Sequence, residues 1–337
     1  MDDLKTLRME LGERSYEIYV GASILDKAKE LFNLERRIIV VTDSGVPSKY
    51  SARVAELCAE AKIITFPETE ASKNIDTFAL ICQAMLDFGL QRKDAVIAVG
   101  GGVVGDIAGF CAATYMRGVD FYNIPTTLLS SVDSSIGGKT AVDFGGVKNI
   151  LGAFYQPKGV LIDTNLLKTL DSRQMACGKA EIIKMALSRD RELFEKIEKE
   201  GITESNITDI IFASLKIKKN IVELDEREGG LRKILNLGHT LGHGIEATTE
   251  LLHGECVALG MIPMCSPETR VRLKSVLKRE GLPYQLPHKL DLAFEFMKHD
   301  KKRNGTEVDA IFVSEVGVSE IRRISLSALE DVIMSSI

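Results

Sequence analysis

Three of the five histidines of this chain fall within 15 residues, in the stretch ILNLGHTLGHGIEATTELLHGE. His239 and His243 are four apart and share one face of a helix, while His253 opens the next helical stretch ten residues on and can fold back. A lone histidine is more often a satisfied core residue or a helix cap. Three together favour a metal, because imidazole is a common zinc ligand. Upstream, ACGKAEIIKMAL sets Glu181 and Lys184 three apart on an otherwise apolar helix. A carboxylate and an ammonium buried together must compensate each other or serve a site. The alternative is a surface ion pair, for which Ile182, Ile183 and Met185 leave little room. Glu181 with two histidines would make a three-ligand centre with an open position, the catalytic rather than the structural arrangement.

Two further segments suit anions. In DAVIAVGGGVVGDIAGFCAATYMRG a buried strand runs into Gly100, Gly101 and Gly102 and then a helix, so backbone and free N–H groups can approach a phosphate. Gly100, Gly102 and Gly105 also satisfy G-x-G-x-x-G, with Asp120 about 20 residues after the first glycine. Because Asp120 begins the next strand instead of ending it, a tight strand-to-helix turn explains the glycines equally well. The segment PTTLLSSVDSSIGGKTAVDFGGVKNILGAFYQP offers Thr126, Thr127, Lys139, Lys148 and Asn149 as donors in Gly-rich surroundings. Its apolar LL, AV and ILGAF pieces are expected to bind it into the core.

The elements that must carry these residues change character along the chain. RRIIVVTD (36–43), AKIITFP (61–67), DAVIAVGGG (94–102), VDFYNIPTT (119–127) and KGVLIDT (158–164) read as strands, several too continuously apolar to have a wet face. SARVAELCAEA and IDTFALICQAMLDFGL between them are helical, so strands and helices alternate and a parallel, doubly wound sheet follows. From LLKTLDSRQMACGKAEIIKMAL onward the pattern is almost wholly of 3.6 period, with IFVSEVG (311–317) as a late strand candidate. The expected organisation is an α/β domain over 1–163 and a mostly α-helical domain over 164–337.

Composition sets the outer limits. At roughly 100 to 200 residues per domain, 337 residues fit two domains that need no disulfide staples. The net charge of −5, from 43 basic and 48 acidic residues, argues against nucleic acid or a membrane surface as partner. The opening MDDLKTLRMELGERSYEIYVG lacks the basic start and apolar core of a signal peptide, and no apolar run reaches the ~18 residues of a membrane span. The six cysteines form no CxxC pair and sit among apolar neighbours, as free thiols in a reducing compartment do. A soluble, cytoplasmic protein is expected.

Taken in order, the motifs resemble those of the 3-dehydroquinate synthases, members of the sugar phosphate cyclases. The likeness runs from SYEIYVGASIL through VVTDSG, GGGVVGDIAGF, PTTLLSSVDSSIGGKTAV, KNILGAFYQP, GKAEIIK, LNLGHTLGH and LHGECVALGM to HDKKRNG. It implies a Rossmann-like NAD-binding domain followed by a helical metal- and substrate-binding domain. It implies conversion of 3-deoxy-arabino-heptulosonate 7-phosphate to 3-dehydroquinate and phosphate, with NAD and zinc, for which cobalt can substitute, as cofactors. The substrate is a small anionic sugar-acid phosphate, and a homodimer is expected.

Residue by residue, the resemblance makes Glu181, His239 and His253 the metal ligands and turns His243 to the phosphate side of the substrate. Gly101, Gly102, Val103 and Gly105 with Asp106 would cradle the pyrophosphate and nicotinamide side of NAD. Asp43, Glu70 and Lys73 match positions around the adenosine, joined by Thr126, Thr127, Lys139, Lys148 and Thr169. Lys139, Asn149 and Asn236 match phosphate or substrate positions, and Arg117 is expected to reach the site of a neighbouring subunit. Lys184, Lys218, Arg232 and one of Lys301 and Lys302 match the groups that hold the substrate carboxylate and hydroxyls, with Asp133 among them.

Within the resemblance this chain has its own features. The loop between His243 and His253 is short, Val147 precedes Lys148-Asn149, and Pro263 and Pro267 interrupt a compressed helical stretch. The rival readings are a sibling cyclase acting on a sugar phosphate without a carboxylate, a metal-dependent polyol dehydrogenase, and a non-enzymatic NAD-binding scaffold. Arg232 beside Lys218 favours a carboxylate substrate, and the three metal ligands favour an enzyme.

Overall fold

A computed structural model describes residues 4–287, 289–301 and 307–336. The chain divides into two compact units, Met1–Leu170 and Asp171–Ile337.

The first unit holds strands β1 (Lys5–Met9), β2 (Tyr16–Gly21), β3 (Arg37–Asp43), β4 (Glu60–Phe66), β5 (Ala95–Gly100), β6 (Asp120–Pro125), β7 (Lys139–Phe144), β8 (Val147–Phe154) and β9 (Gly159–Asp163). Its helices are α1 (Ala28–Leu31), α2 (Ser48–Glu56), α3 (Ile75–Asp87) and α4 (Gly102–Thr114). Seven strands form one sheet in the order β1-β2-β9-β6-β5-β3-β4. Every pairing is parallel except β1 with β2 at one edge.

The central strands are apolar on both faces because both faces are covered. Ile39, Val41, Val96 and Ala98 pack into one core, together with Ile107 and Cys111 of α4 and Ile81 of α3. Ile38, Val40, Ile97 and Val99 alternate to the other side, against Val54 of α2 and Phe32. β3 leads outward to β4, whereas its neighbour β5 leads the opposite way to β6. Their carboxyl ends therefore flank a topological switch point, the place where open α/β sheets bind ligands. Asp43 ends β3 there, and Gly100 ends β5.

The strands β1, β2, β7 and β8 go beyond the strands read from sequence. β7 and β8 form a separate antiparallel hairpin. Thr140 and Val142 are buried on one face, but Phe144, Ile150 and Phe154 are 54%, 58% and 42% exposed. The expectation that the ILGAF piece lies in the core is thus corrected. A two-stranded hairpin packed by one face on α4 and α3 leaves its other face open.

The second unit contains α5 (Ser172–Arg189), α6 (Arg191–Glu200), α7 (Ile207–Leu224), α8 (His239–Glu246), α9 (His253–Met261), α10 (Pro267–Arg279), α11 (Asp291–Lys301) and α12 (Leu326–Met334). It also holds an antiparallel hairpin of β10 (Glu307–Glu315) and β11 (Val318–Ser325). The strand expected at 311–317 is the second half of β10 and its turn, and β11 escaped the pattern because its polar residues alternate with few apolar ones. Asp171 caps α5, accepting from the N–H groups of Arg173 and Gln174 at 2.9 and 3.0 Å.

Glycines let α9 lie against its neighbours at backbone distance. A Cβ on Gly254 would fall 2.4 Å from the carbonyl oxygen of Cys177 in α5. One on Gly260 would fall 1.9 Å from the carbonyl oxygen of Gly238, at the start of α8. These approaches set the distance from His253 to the residues of α5 and α8. No described helix is long and apolar enough to cross a membrane.

Candidate active site

The site residues expected from sequence fall into two sets, one in each unit. In the first unit, the N–H of Gly105 makes the first helical bond of α4, to the oxygen of Gly101 at 3.0 Å. The N–H groups of Gly102, Val103 and Val104 precede that bond and so have no acceptor within the helix. The turn is tight: a Cβ on Gly101 would lie 3.1 Å from Thr127 Cγ2, and one on Gly102 3.2 Å from Ser134 Oγ. Thr126 donates its N–H to the Gly100 oxygen at 3.0 Å, holding the end of β6 beside the glycines.

Lys73 is buried and joins three expected positions. Its Nζ lies 2.5 Å from Asp106 Oδ2 and 2.5 Å from Asn149 Oδ1. The structure therefore groups Lys73 and Asn149 with Asp106 on one side of the glycine turn. Asp143, which the sequence did not single out, fastens this group: it accepts the Asn149 N–H at 2.7 Å and donates its own N–H to the Lys73 oxygen. Asn149 takes φ +56°, a conformation that asparagine tolerates better than most residues.

Asp43 accepts the N–H groups of Gly45 and Val46, and burial raises its pKa above the usual carboxylate value. Glu70 is exposed at the turn before α3, and the Thr169 hydroxyl meets the Tyr50 hydroxyl at 3.3 Å. Asp133 lies in the turn Ser130–Ser134, and Lys139 and Lys148 are exposed on the hairpin. Arg117 stands apart. It sits in an exposed left-handed turn with Met116, just before β6, at the opposite end of the sheet from Gly100.

In the second unit, α5, α8 and α9 bring the metal candidates together. Glu181 is wholly buried, and Oε1 lies 4.0 Å from His239 Nε2 and 3.8 Å from His253 Nε2. Lys184 forms a buried ion pair with Glu181 through Oε2, while Oε1, the oxygen that faces the two imidazoles, has no hydrogen-bond partner. A buried carboxylate oxygen left in this way is costly unless a further positive or donor group completes it. Burial, reinforced by the positive charges of Lys184, His253 and His243, holds the His239 pKa well below its usual value, so the ring is neutral and able to ligate.

The other face of each ring is also held. His239 Nδ1 contacts the Leu237 oxygen at 3.2 Å, and His253 Nδ1 contacts Glu246 Oε2 at 3.0 Å. Burial lowers the His253 pKa, but the hydrogen bond donated to Glu246 and the charges of Glu181 and Glu246 outweigh it and raise the value. His243, one turn after His239, is exposed, with ring centroids 5.3 and 6.0 Å from His239 and His253. The donor set of one carboxylate and two imidazoles fits zinc or cobalt.

The substrate candidates sit on neighbouring elements of the same unit. Lys218 is buried on α7, which packs on α5. Arg232 and Asn236 belong to the short helical turn Leu231–Asn236. Arg232 is 2% exposed; its N–H is accepted by Asp225 and its guanidinium donates to the Glu226 oxygen. Asn236 Nδ2 donates to Glu228 Oε1 at 2.8 Å. The side chain of Lys301, Lys302 and the rest of the HDKKRNG motif lie outside the described residues.

Asp143, Glu228 and Glu246 were missed. Only Glu246 had a sequence signal, being two helical turns from His239 and on its face.

Comparisons with known proteins identify the family. The family description "3-dehydroquinate synthase N-terminal" matches residues 63–177, and "3-dehydroquinate synthase C-terminal" matches 178–303. A 3-dehydroquinate synthase of Thermoanaerobacter pseudethanolicus is 42% identical over 94% of this chain and 96% of its own. Among solved structures, 2-deoxy-scyllo-inosose synthase complexed with carbaglucose-6-phosphate, NAD+ and Co2+ superposes with a TM-score of 0.89 at 26% identity, over 99% of this chain and 100% of that one. The 2-epi-5-epi-valiolone synthase of Streptomyces hygroscopicus subsp. jinggangensis, with NAD+ and Zn2+ bound, reaches 0.85 at 28% identity, over 97% and 98%. With whole-length identity of this order and both halves matched in sequence, the chain belongs to the 3-dehydroquinate synthase family of NAD- and metal-dependent cyclases.

Proposed function

We propose that this chain converts 3-deoxy-arabino-heptulosonate 7-phosphate to 3-dehydroquinate and inorganic phosphate. The observation that carries the reading is the buried Oε1 of Glu181, without a hydrogen-bond partner and facing two imidazole Nε2 atoms, in a chain of this family. Bound NAD supplies the acceptor and later the donor of a hydride, and the divalent metal held by Glu181, His239 and His253 supplies a Lewis acid for the alcohol being oxidised.

The chain's own residues do the rest. The N–H groups that open α4, with Asp106, Thr126 and Thr127, hold the cofactor phosphates and fix its ring. Asp43, Glu70, Lys73, Lys148 and Thr169 complete the cofactor set. Arg232 presents a planar fork to the substrate carboxylate, and Lys218 adds a second cation. Asn236, with its amide donating to Glu228, turns its oxygen to accept from a substrate hydroxyl. Lys184 donates to an oxygen beside the metal. Lys139, Asn149 and His243 bind on the phosphate side, with Asp133 among the polar groups. The substrate's leaving phosphate takes the acidified proton, so no separate side-chain base is required.

The reading extends to assembly and location. A homodimer is supported by Arg117, which sits at the end of its own sheet away from the glycine turn, and by the exposed apolar residues of the β7–β8 hairpin. Free cysteines throughout support a reducing cytoplasm. The decisive experiment supplies the heptulosonate phosphate with NAD and zinc. Phosphate release without net NADH is expected; NADH accumulating in step with product would point to a dehydrogenase.

A further inference from the structure

The two imidazoles that face Glu181 are held in different ways. His239, the first residue of α8, rests its Nδ1 on a backbone carbonyl, the Leu237 oxygen two residues before it. His253 likewise opens α9, but its Nδ1 is met by a side chain instead of a backbone carbonyl, the carboxylate of Glu246 at 3.0 Å. Glu246 is the last residue of α8, seven after His239 and three after His243, so it projects along the same face as the histidines. Its side chain is 20% exposed, in an environment that strengthens a charge-assisted bond.

We infer that Glu246 is a positioning residue for the metal centre: by accepting the Nδ1–H of His253 it fixes the tautomer that leaves Nε2 free toward Glu181. The inference rests on the metal reading of the preceding section and assigns a function to a residue outside the ligand set. The physical reason is that a neutral imidazole can place its proton on either nitrogen, and only the Nδ1–H form offers an Nε2 lone pair on the Glu181 side. A carboxylate at Nδ1 selects that form, sets the ring plane and makes Nε2 more basic. The short link between α8 and α9 has a consequence here. Six residues separate Glu246 from His253, so the carboxylate and the ring it steers are delivered by one connection rather than by distant elements.

A competing geometry exists. His243, Glu246 and His253 also bring three ligand atoms within 4.8 Å of one another, so Glu246 could ligate a cation directly. The burial of the two sets separates them. The set with Glu181 offers a wholly buried carboxylate oxygen, Oε1, without a hydrogen-bond partner, whereas the set with Glu246 includes the exposed His243 and a carboxylate already bonded to an N–H.

The test is zinc affinity of the full chain, by competition of Zn2+ alone against a chromophoric chelator, for wild type, Glu246→Ala, Glu246→Gln and Glu181→Gln. Glu246→Ala should bind zinc about 10- to 100-fold more weakly, the usual effect of losing such a partner. Glu246→Gln should recover part of that loss, because its amide oxygen still accepts the Nδ1–H without the charge. The metal-free unfolding midpoints of both variants should match the wild type, which a merely structural role would not allow. Affinity within twofold of wild type in both Glu246 variants, while Glu181→Gln loses zinc, overturns the positioning role alone. A loss in Glu246→Ala as complete as in Glu181→Gln makes Glu246 a ligand and overturns it too. Zinc retained by Glu181→Gln removes the metal reading itself, and the inference with it.

Discussion

His239 and His253 meet edge to face with ring centroids 5.2 Å apart, and both direct Nε2 at a single oxygen, Oε1 of Glu181. Two elements far apart in sequence order from α5 thus converge on one carboxylate, which is why metal and activity are expected to be lost together. In His253→Ala, zinc content measured by elemental analysis should fall to background and turnover with it. The circular dichroism of the parallel sheet should be retained, since that sheet belongs to the other unit. Full zinc with normal turnover would sink the ligand assignment.

Arg232 tests the choice of substrate. Lysine at this position keeps the charge but loses the fork, so Arg232→Lys should lower kcat/KM on the heptulosonate by at least about tenfold, on the order of 1.4 kcal/mol. Had the Arg232 side chain served only to hold the Glu226 carbonyl, the change would be nearly silent in kcat/KM. Equal turnover of an analogue without the carboxylate would return the choice to the sibling cyclases.

Gly260 should tolerate no side chain. Its Cβ would stand 1.9 Å from the Gly238 oxygen, and that contact is with backbone, which cannot swing aside. Gly260→Ala is expected to destabilise the chain by about 1–3 kcal/mol and to weaken zinc binding, because Gly238 immediately precedes His239. Chemical unfolding of the metal-free chain reads the first effect and chelator competition the second. An unchanged unfolding midpoint would mean that α8 and α9 can separate without cost.

Arg173 and Glu255 link the start of α5 to α9 through two bonds, at 2.8 and 2.7 Å. The hydrogen bond from Arg173 holds the Glu255 pKa below its usual value, so the pair stabilises the fold above the unfolded carboxyl pKa, about 4.3. That stability is lost as pH falls through the lower, folded value. Because Arg173 is 51% exposed, Arg173→Ala should cost less than about 1 kcal/mol at pH 7. The difference from wild type should shrink as the pH is taken below the unfolded carboxyl pKa and through the lower, folded one, as denaturant midpoints at pH 7 and in acid will show. A difference that persists in acid would assign the effect to packing of the arginine stem.

Much of this was written in local order along the chain. The alternation of apolar runs and amphipathic stretches determined the parallel sheet, because a strand covered on both faces must be apolar at consecutive positions, as Ile38–Val41 are. The spacing of His239 and His243, and of Glu181 and Lys184, was set by helical periodicity, a property of neighbours in sequence. Where local signal was weak, as in β11 with its alternating charges, the strand went unread.

Only the tertiary structure decided which groups meet. That Lys73, Asp106 and Asn149 form one cluster depends on α3, α4 and the β7–β8 hairpin arriving together, and no periodicity in any one of them specifies it. The exposed face of that hairpin was likewise hidden, since the same apolar residues would suit a core. The candidate metal centre divides in the same way: residue types and spacing offered Glu181 and three histidines and the family resemblance chose His239 and His253, but the convergence of Glu181, His239 and His253 depends on glycines 254 and 260 letting helices touch at the backbone. The pairing of Glu246 with the far nitrogen of His253 follows from that contact, because a side-chain carboxylate finds its partner only after the fold has fixed where both ends of the loop stand.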